Sequence, residues 1–465
     1  MSLQLQPGVS GASAERVNLD RRERYAPQQS VAWRTWEEIV GASRMQSQRW
    51  LLDAAIRTLG VDWDQGRTRY LAQACPTEAQ ADFGRVRDRV RTFAAIDREF
   101  AAAARRREAM ADQAHREGRP VSERENAFTA SILWGAAQWP LFEPSDLLAA
   151  YGVHKVACYD RFIAHAPHPV RRLEIPFQDG TIPALLHLPA TGVAPFPCVI
   201  EVGGLDSFKE HLVAIYGDRY LERGIARLTF DGPGQGESLT RGRWLDATNL
   251  VEAGQAIMAW LQAEPAVDPA RIGLSGTSLG SFWATRLAAV QPGLAGCAAV
   301  MVIHEPGLVT LLESASPTFR ARFQFISGGL DDDAFASFAG ELRLDDAAPM
   351  IRCPVLVVAG EDDDLSPIEH TWRLLDAVTA PRRLLLYQGE RHGVASGPAA
   401  MLGPGRDEFV AEWFADRFAG REPEEGLSFV DMAGRVHERP LGRLPVEDAL
   451  QGTGPRPRPA AGAEA

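Results

Sequence analysis

Apolar positions along the chain fall into two regimes that meet near residue 170. Upstream they recur every three or four residues. WRTWEEIVGAS, SQRWLLDAAIRTLG and the long ADFGRVRDRVRTFAAIDREFAAAARRREAMADQAHREG all carry this spacing, which gives a helix one apolar stripe. Pro120 and Ser122 open a further helix over ERENAFTASILWGAAQW, which stops at Pro140. Ser145 can cap SDLLAAYGVHKVACYDRFIAHA, which ends before Pro167 and Pro169. Downstream the apolar residues condense into short runs: RRLEIPF, TIPALLHLP, PCVIEVGG, ARLTF, RIGLSG, CAAVMVI, PVLVVAG and RRLLLYQG. These read as strands, several apolar enough to be buried on both faces. From ARLTF onward they alternate with helical segments at NLVEAGQAIMAWLQ, SFWATRLAAV, IEHTWRLLDAV and RDEFVAEWFADRFA. Strand–helix alternation predicts an α/β domain with a mostly parallel, doubly wound sheet.

The pattern divides the chain into four zones. Residues 1–30 form a polar arm, 31–167 an all-helical domain, 168–420 the α/β domain, and 421–465 a tail rich in Pro, Gly, Glu and Arg that is expected to be disordered. A length of 465 residues suits such a multi-domain layout. The net charge of −12 argues against a phosphate backbone as partner, so no nucleic acid is expected. Five scattered cysteines, Cys75, Cys158, Cys198, Cys297 and Cys353, show no zinc spacing. Cys198, Cys297 and Cys353 stand at the starts of apolar runs and read as buried structural thiols, in keeping with a reducing cytoplasm. The first residues lack the apolar core of a signal peptide, and no run approaches the roughly 18 apolar residues of a membrane span. A cytoplasmic protein acting on a small molecule, without membrane, metal or cofactor, is the expectation. Its helical arms offer a surface for a homodimer.

The chemistry is carried by Gly276-Thr277-Ser278-Leu279-Gly280, a G-x-S-x-G pattern between a strand and a helix. In that setting the turn lifts the Ser278 hydroxyl above the sheet edge, and the two glycines leave room for the turn. A serine nucleophile needs a base, and the base an orienting acid, in the chain order Ser, acid, His. After PVLVVAG come Glu361, Asp362, Asp363 and Asp364. The register three residues beyond Gly360 selects Asp363, with Asp362 and Asp364 as competitors. After RRLLLYQG comes His392, the base. The backbone N–H of Leu279, with that of Gly204 or Leu205 in the GGLD loop, would form the oxyanion hole. His304 and Glu305 follow CAAVMVI, and either could line a pocket. His370 falls within a helix. FDGPGQGES (230–238) lacks the Lys-Ser/Thr of a P-loop and the dinucleotide spacing, so it reads as a structural loop in which Asp231 bonds main-chain N–H groups.

GGLDSFKEH (203–211), FDGPGQGES (230–238) and GTSLGS (276–281) together resemble one branch of the α/β-hydrolase superfamily. That branch holds 2,6-dihydroxypseudooxynicotine hydrolase, fungal polyketide-shortening hydrolases and FrsA-like esterases. The resemblance covers roughly residues 125–420. It implies an α/β-hydrolase fold with a helical cap over the pocket, no cofactor, and Ser278, Asp363 and His392 as nucleophile, acid and base, with the GGL segment as oxyanion loop. It also implies cleavage of a carbon–carbon bond between an acyl group and an electron-rich aromatic or polyketide unit, with ester hydrolysis as the second possibility. An aromatic substrate asks for an aromatic pocket, for which Trp134, Trp139 and Phe142 at the end of the cap are candidates; taken alone, each reads better as helix-packing core. Ser281, where a second glycine is common, and His211, after the Lys-Glu pair, depart from the branch. Amide hydrolysis, bond formation by the same site, and a non-catalytic binding protein on this scaffold complete the readings.

Overall fold

The computed structural model describes residues 49–441, apart from 308–309 and 312–314. The polar arm, the WRTWEEIVGAS helix and residues 442–465 of the tail lie outside the described residues.

Among the described residues six α-helices precede the sheet: α1 (Arg49–Leu59), α2 (Arg67–Ala74), α3 (Gln80–Arg89), α4 (Ile96–Arg116), α5 (Pro120–Gln138) and α6 (Asp146–Ile163). Pro120 opens α5 at its first turn, where a missing N–H costs nothing. The Ser145 hydroxyl accepts the Leu148 N–H and caps α6. The single long helix expected over residues 81–118 is instead two. Arg91 and Thr92 break it although no Pro or Gly stands there. The Phe93 N–H turns to the Asp53 carboxylate of α1 at 2.7 Å, and Val90 and Phe93 are buried. A long-range bond and core burial thus override local helix propensity. α5 is buried along most of its length, which explains why its apolar residues run all round rather than in one stripe.

Among the described residues the sheet has ten strands in the order β1-β2-β4-β3-β5-β6-β7-β8-β9-β10. β1 (Val170–Phe177) and β2 (Gly180–His187) form an antiparallel hairpin, and β2 pairs antiparallel with β4 (Ala226–Phe230). From β4 through β3 (Phe196–Val202), β5 (Val267–Thr277), β6 (Cys297–Val300), β7 (Val355–Gly360) and β8 (Arg382–Tyr387) to β9 (Gly426–Val430), all pairings are parallel. β10 (Val436–Arg439) closes the edge antiparallel to β9. Every residue of β4, β6 and β7 is buried, as strands covered on both faces require.

Two expectations need correction. The zone from residue 421 contains β9 and β10, so its first part is sheet, not tail. Leu427, Phe429 and Val430 are buried against their neighbours, and the Pro, Gly and Glu around them mark turns rather than disorder. Between β6 and β7 the chain also builds α10 (Pro317–Ile326) and α11 (Asp332–Glu341), which the strand–helix reading left blank. The remaining helices are α7 (Gly236–Thr240), α8 (Asn249–Gln262), α9 (Leu279–Val290), α12 (Ile368–Ala377), α13 (Pro398–Leu402) and α14 (Arg406–Phe418).

Two apolar cores flank the sheet. One holds Leu228, Leu274, Phe282 and Val357; the other holds Val199, Leu356, Leu385 and Phe414. A third lies among the cap helices and reaches Leu185 and Phe208 of the α/β domain. Gly135 of α5 permits that approach, because a Cβ there would collide with the Phe208 ring. All five cysteines are free and buried.

Candidate active site

Ser278 stands between β5 and α9 with φ 56° and ψ −126°, a conformation rarely adopted by a non-glycine residue. Its N–H donates to the Val300 carbonyl at 2.9 Å, which ties the turn to the neighbouring strand. The flanking glycines are required by space. A Cβ at Gly276 would meet the Gly280 carbonyl and Ala284, and one at Gly280 would meet the Val202 and Gly203 carbonyls. Ser281 is buried, and its hydroxyl accepts the Ile303 N–H at 3.0 Å, bracing the loop after β6.

The Ser278 hydroxyl lies 2.8 Å from His392 Nε2, and His392 Nδ1 lies 2.9 Å from Asp363 Oδ2. Asp363 Oδ1 accepts the N–H groups of Leu365 at 2.9 Å and Ser366 at 3.2 Å. Of the three neighbouring aspartates, Asp363 is buried while Asp362 and Asp364 are exposed. The loops after β7 and β8 are locked together. The Asp362 N–H donates to the Glu390 carbonyl at 2.9 Å, and a Cβ at Gly360 would strike the Glu390 and Arg391 carbonyls. Glu390 is 1% exposed and in turn accepts main-chain N–H groups from Ser396 and Ala400. Hydroxyl, imidazole and carboxylate in series can pass a proton from Oγ to Nε2 and steady the resulting imidazolium.

The loop after β3 faces the same turn. A Cβ at Gly204 would lie 3.1 Å from both the Ser278 Cβ and the Thr277 carbonyl, so glycine eases this close approach. Leu279 is the first residue of α9, where the main-chain N–H has no intrahelical acceptor. Among the described residues no protein acceptor takes the Leu205 N–H either.

The chain resembles known proteins in its fold and in two overlapping segments. The family model for FrsA-like esterases matches residues 101–312, and that of the prolyl oligopeptidase family matches residues 220–420. Esterase FrsA of Yersinia enterocolitica serotype O:8 / biotype 1B is 28% identical over 181 residues, 39% of this chain and 43% of that protein. Its counterpart from Yersinia pestis (strain Pestoides F) is 29% identical over 174 residues, 37% of this chain and 41% of that protein. The chain thus spans less than half the length of these relatives. The solved structure of 2,6-dihydroxy-pseudo-oxynicotine hydrolase superposes with a TM-score of 0.65 at 24% identity, covering 77% of this chain and 98% of that one. The chain has the α/β-hydrolase fold. AbyA5 shares the fold more distantly, with a TM-score of 0.57 at 18% identity over 77% of this chain and 95% of that one.

Within this fold the residues expected to line a pocket divide. His304 is 1% exposed, and burial with nearby His370 pushes its imidazole down to about 3, so it is neutral. Among the described residues neither of its ring nitrogens has a hydrogen-bond partner. Glu305 pairs with Arg373 at 2.9 Å. His370 is buried in α12. Trp134 does not have the contacts of a pocket wall. It stacks on His154 at 4.8 Å, lies near Arg105, and donates to Glu108 at 3.2 Å, all within the cap. It is helix-packing core because α4, α5 and α6 close around it. Trp139 and Phe142 sit lower, packed with Phe93. Trp139 carries the Arg67 guanidinium 3.9 Å over its ring. Arg67 reaches Asp206, next to Leu205, at 2.8 Å, so Trp139 is joined to the β3 loop through Arg67.

Several polar residues at the cap–core junction escaped the sequence reading. Lys155 of α6 reaches Glu210 at 2.7 Å, and Lys209 contacts Glu210 at 2.8 Å, Asp231 at 2.9 Å and also Glu237. All five are buried, and the ammonium groups fill the space between the carboxylates. Burial opposes ionisation of Glu210 and Asp231, but the two ammoniums hold both carboxyls below their usual range. As expected, Asp231 also accepts main-chain N–H groups, from Lys209 at 2.8 Å and Glu237 at 2.9 Å. Arg322 of α10 is buried, donates to the Leu141 carbonyl at 3.2 Å, and is pulled down to about 10 by burial. The signal for the lysine cluster was present as the Lys-Glu pair and the DGPGQGE run; α10 left no comparable mark.

Proposed function

We propose that this protein is a serine hydrolase in which Ser278 attacks a substrate carbonyl carbon, His392 takes the Oγ proton, and Asp363 orients the imidazole. The observation that carries the reading is the unbroken Ser278–His392–Asp363 chain at 2.8 and 2.9 Å on a strained strand–helix turn. The tetrahedral oxyanion sits on the N–H groups of Leu279 and Leu205, with Gly204 allowing the approach. Collapse breaks the bond to the leaving group, to which the His392 imidazolium returns the proton. Water, deprotonated by His392, then attacks the acyl-enzyme, and Ser278 leaves with the proton. The net change is addition of one water.

The favoured substrate is an aryl ketone or polyketide-type diketone cleaved at carbon–carbon. The leaving carbanion is disfavoured unless a hydroxylated ring or second carbonyl takes up its charge or proton, and the segments GGLDSFKEH and FDGPGQGES support that class. Trp139 and Phe142 give an aromatic group a surface to pack on. Carboxylester hydrolysis is the second reading, favoured by the match to the FrsA-like esterase model. A fluorophosphonate should label Ser278 and no other serine, and Ser278→Ala should lower kcat by about 10⁶-fold. Turnover that survives this substitution would sink the mechanism. Product analysis with a hydroxyphenyl ketone beside 4-nitrophenyl esters separates the two substrate classes; faster release from the esters across the series would favour the second.

A further inference from the structure

Gln235 lies between β4 and α7, is 6% exposed, and has no part in the reaction as proposed. Both ends of its amide are spent on main chain. Its Oε1 accepts the Gly232 N–H at 3.2 Å, while its Nε2 donates to the Gly203 carbonyl at 2.9 Å and the Gly204 carbonyl at 3.1 Å. The first bond fixes which end of the amide faces the β3 loop, because only the nitrogen can satisfy two carbonyls. Two adjacent carbonyls drawn to one point repel each other as like-oriented dipoles, so the arrangement needs donors: Gln235 serves both carbonyls, and the Ser207 N–H also reaches that of Gly204 at 3.2 Å.

The consequence lies on the other side of the same peptide planes. In a trans peptide, the carbonyl of one residue and the N–H of the next point in opposite directions. Turning the Gly203 and Gly204 carbonyls toward Gln235 therefore turns the N–H groups of Gly204 and Leu205 away from it. Gly204 is also the residue whose backbone packs on Ser278. The far end of the segment is held from the same β4 loop, by Asp231 accepting the Lys209 N–H at 2.8 Å. Residues 203–209 are thus clamped at both ends by the DGPGQGE run.

We infer that Gln235 is a positioning residue for the oxyanion hole: its carboxamide sets the peptide orientation that presents the β3-loop N–H to the oxyanion formed on Ser278 attack. The role rests on the serine mechanism proposed above and adds a task for the FDGPGQGES segment. Gln235→Glu keeps the shape and removes the donor; Gln235→Met keeps length and apolar volume and removes all three bonds. Both should retain the native circular dichroism spectrum. With 4-nitrophenyl acetate, kcat should fall by about 10²-fold, as for loss of one oxyanion donor, with KM little changed. A trifluoromethyl ketone, whose bound adduct carries an oxyanion, should lose affinity by the same factor as kcat/KM. A merely structural role would not produce that match. Unchanged kcat and unchanged ketone affinity in the folded variants would overturn the inference. So would a higher KM at constant kcat, or loss of native structure in both variants. Wild-type protein that fails to react with a fluorophosphonate would instead sink the serine mechanism, and this role with it.

Discussion

At the scale of single residues, the acid next to the base is chosen by burial rather than by residue type. Asp362, Asp363 and Asp364 are chemically identical and adjacent, and a strand register alone selects among them in the sequence. In the fold, Asp363 turns inward, takes two main-chain N–H groups and meets His392, while its neighbours face solvent. Asp363→Asn should therefore keep the fold but lower kcat by about 10⁴-fold, because the imidazole loses its orienting anion. Asp362→Asn and Asp364→Asn should stay close to wild type. Steady-state kinetics on the three variants checks the assignment, and a large loss in either neighbour would refute it. His304 shows the opposite limit of sequence reading. Its place after β6 suggested a pocket role, yet its surroundings decide that it is a buried neutral imidazole.

At the scale of elements, the turn around Ser278 is legible because it is local. Strand, tight turn and helix lie within one short stretch, and the spacing of Gly276 and Gly280 states the steric need directly. The packing shows why each glycine is there. Gly280→Ala would press a methyl into the Val202 and Gly203 carbonyls, which cannot move without disturbing β3. The expected loss is about 1–3 kcal/mol, read as a lower midpoint in urea unfolding. A midpoint equal to wild type would mean that the turn has slack the packing does not show. The helix at residues 81–118 misled for the complementary reason. Its periodicity is continuous, and the break between α3 and α4 comes from Asp53, a partner forty residues away. β9 and β10 were missed because strands of only five and four residues amid Pro and Gly carry too few apolar positions to stand out from a tail.

At the scale of the whole molecule, the cap is fixed to the α/β domain by ions as well as by apolar contact. Lys155 joins α6 to the Glu210–Asp231 cluster. Removing it leaves buried carboxylates short of a cation. Lys155→Met should thus destabilise the protein by roughly 3 kcal/mol, more than the exposed ion pair Arg219–Glu222 could contribute, and urea unfolding measures the difference. Acid sensitivity is a second property of the whole. Burial pushes His168 down to about 4 and His304 to about 3, while the unfolded chain takes up those protons near its ordinary value of 6.5. Their contribution is complete above pH 6.5 and is lost as the pH falls toward the depressed values. The urea midpoint should drop between pH 7.5 and pH 5, and the drop should shrink in His304→Gln. A midpoint that does not move over this interval would contradict the burial of these imidazoles in neutral form.

Among the described residues no helix is long and apolar enough to cross a membrane. By itself the amino-acid sequence determined the α/β class, the helical character of the region before the sheet and eight of the strands, and it pointed to Ser278 and His392 as partners, because each follows from local periodicity, turn chemistry or chain order. The tertiary structure alone decided which aspartate meets His392, that Trp134 is core while Trp139 is joined to the β3 loop through Arg67, and that the Lys-Glu pair and DGPGQGE run clamp that loop. These are contacts between residues far apart in the chain: Ser278 and His392 are separated by 114 positions. The hydrophobic pattern sets where each element must bury a face, but which polar groups then meet depends on registers and crossing points that emerge only when all the elements pack together.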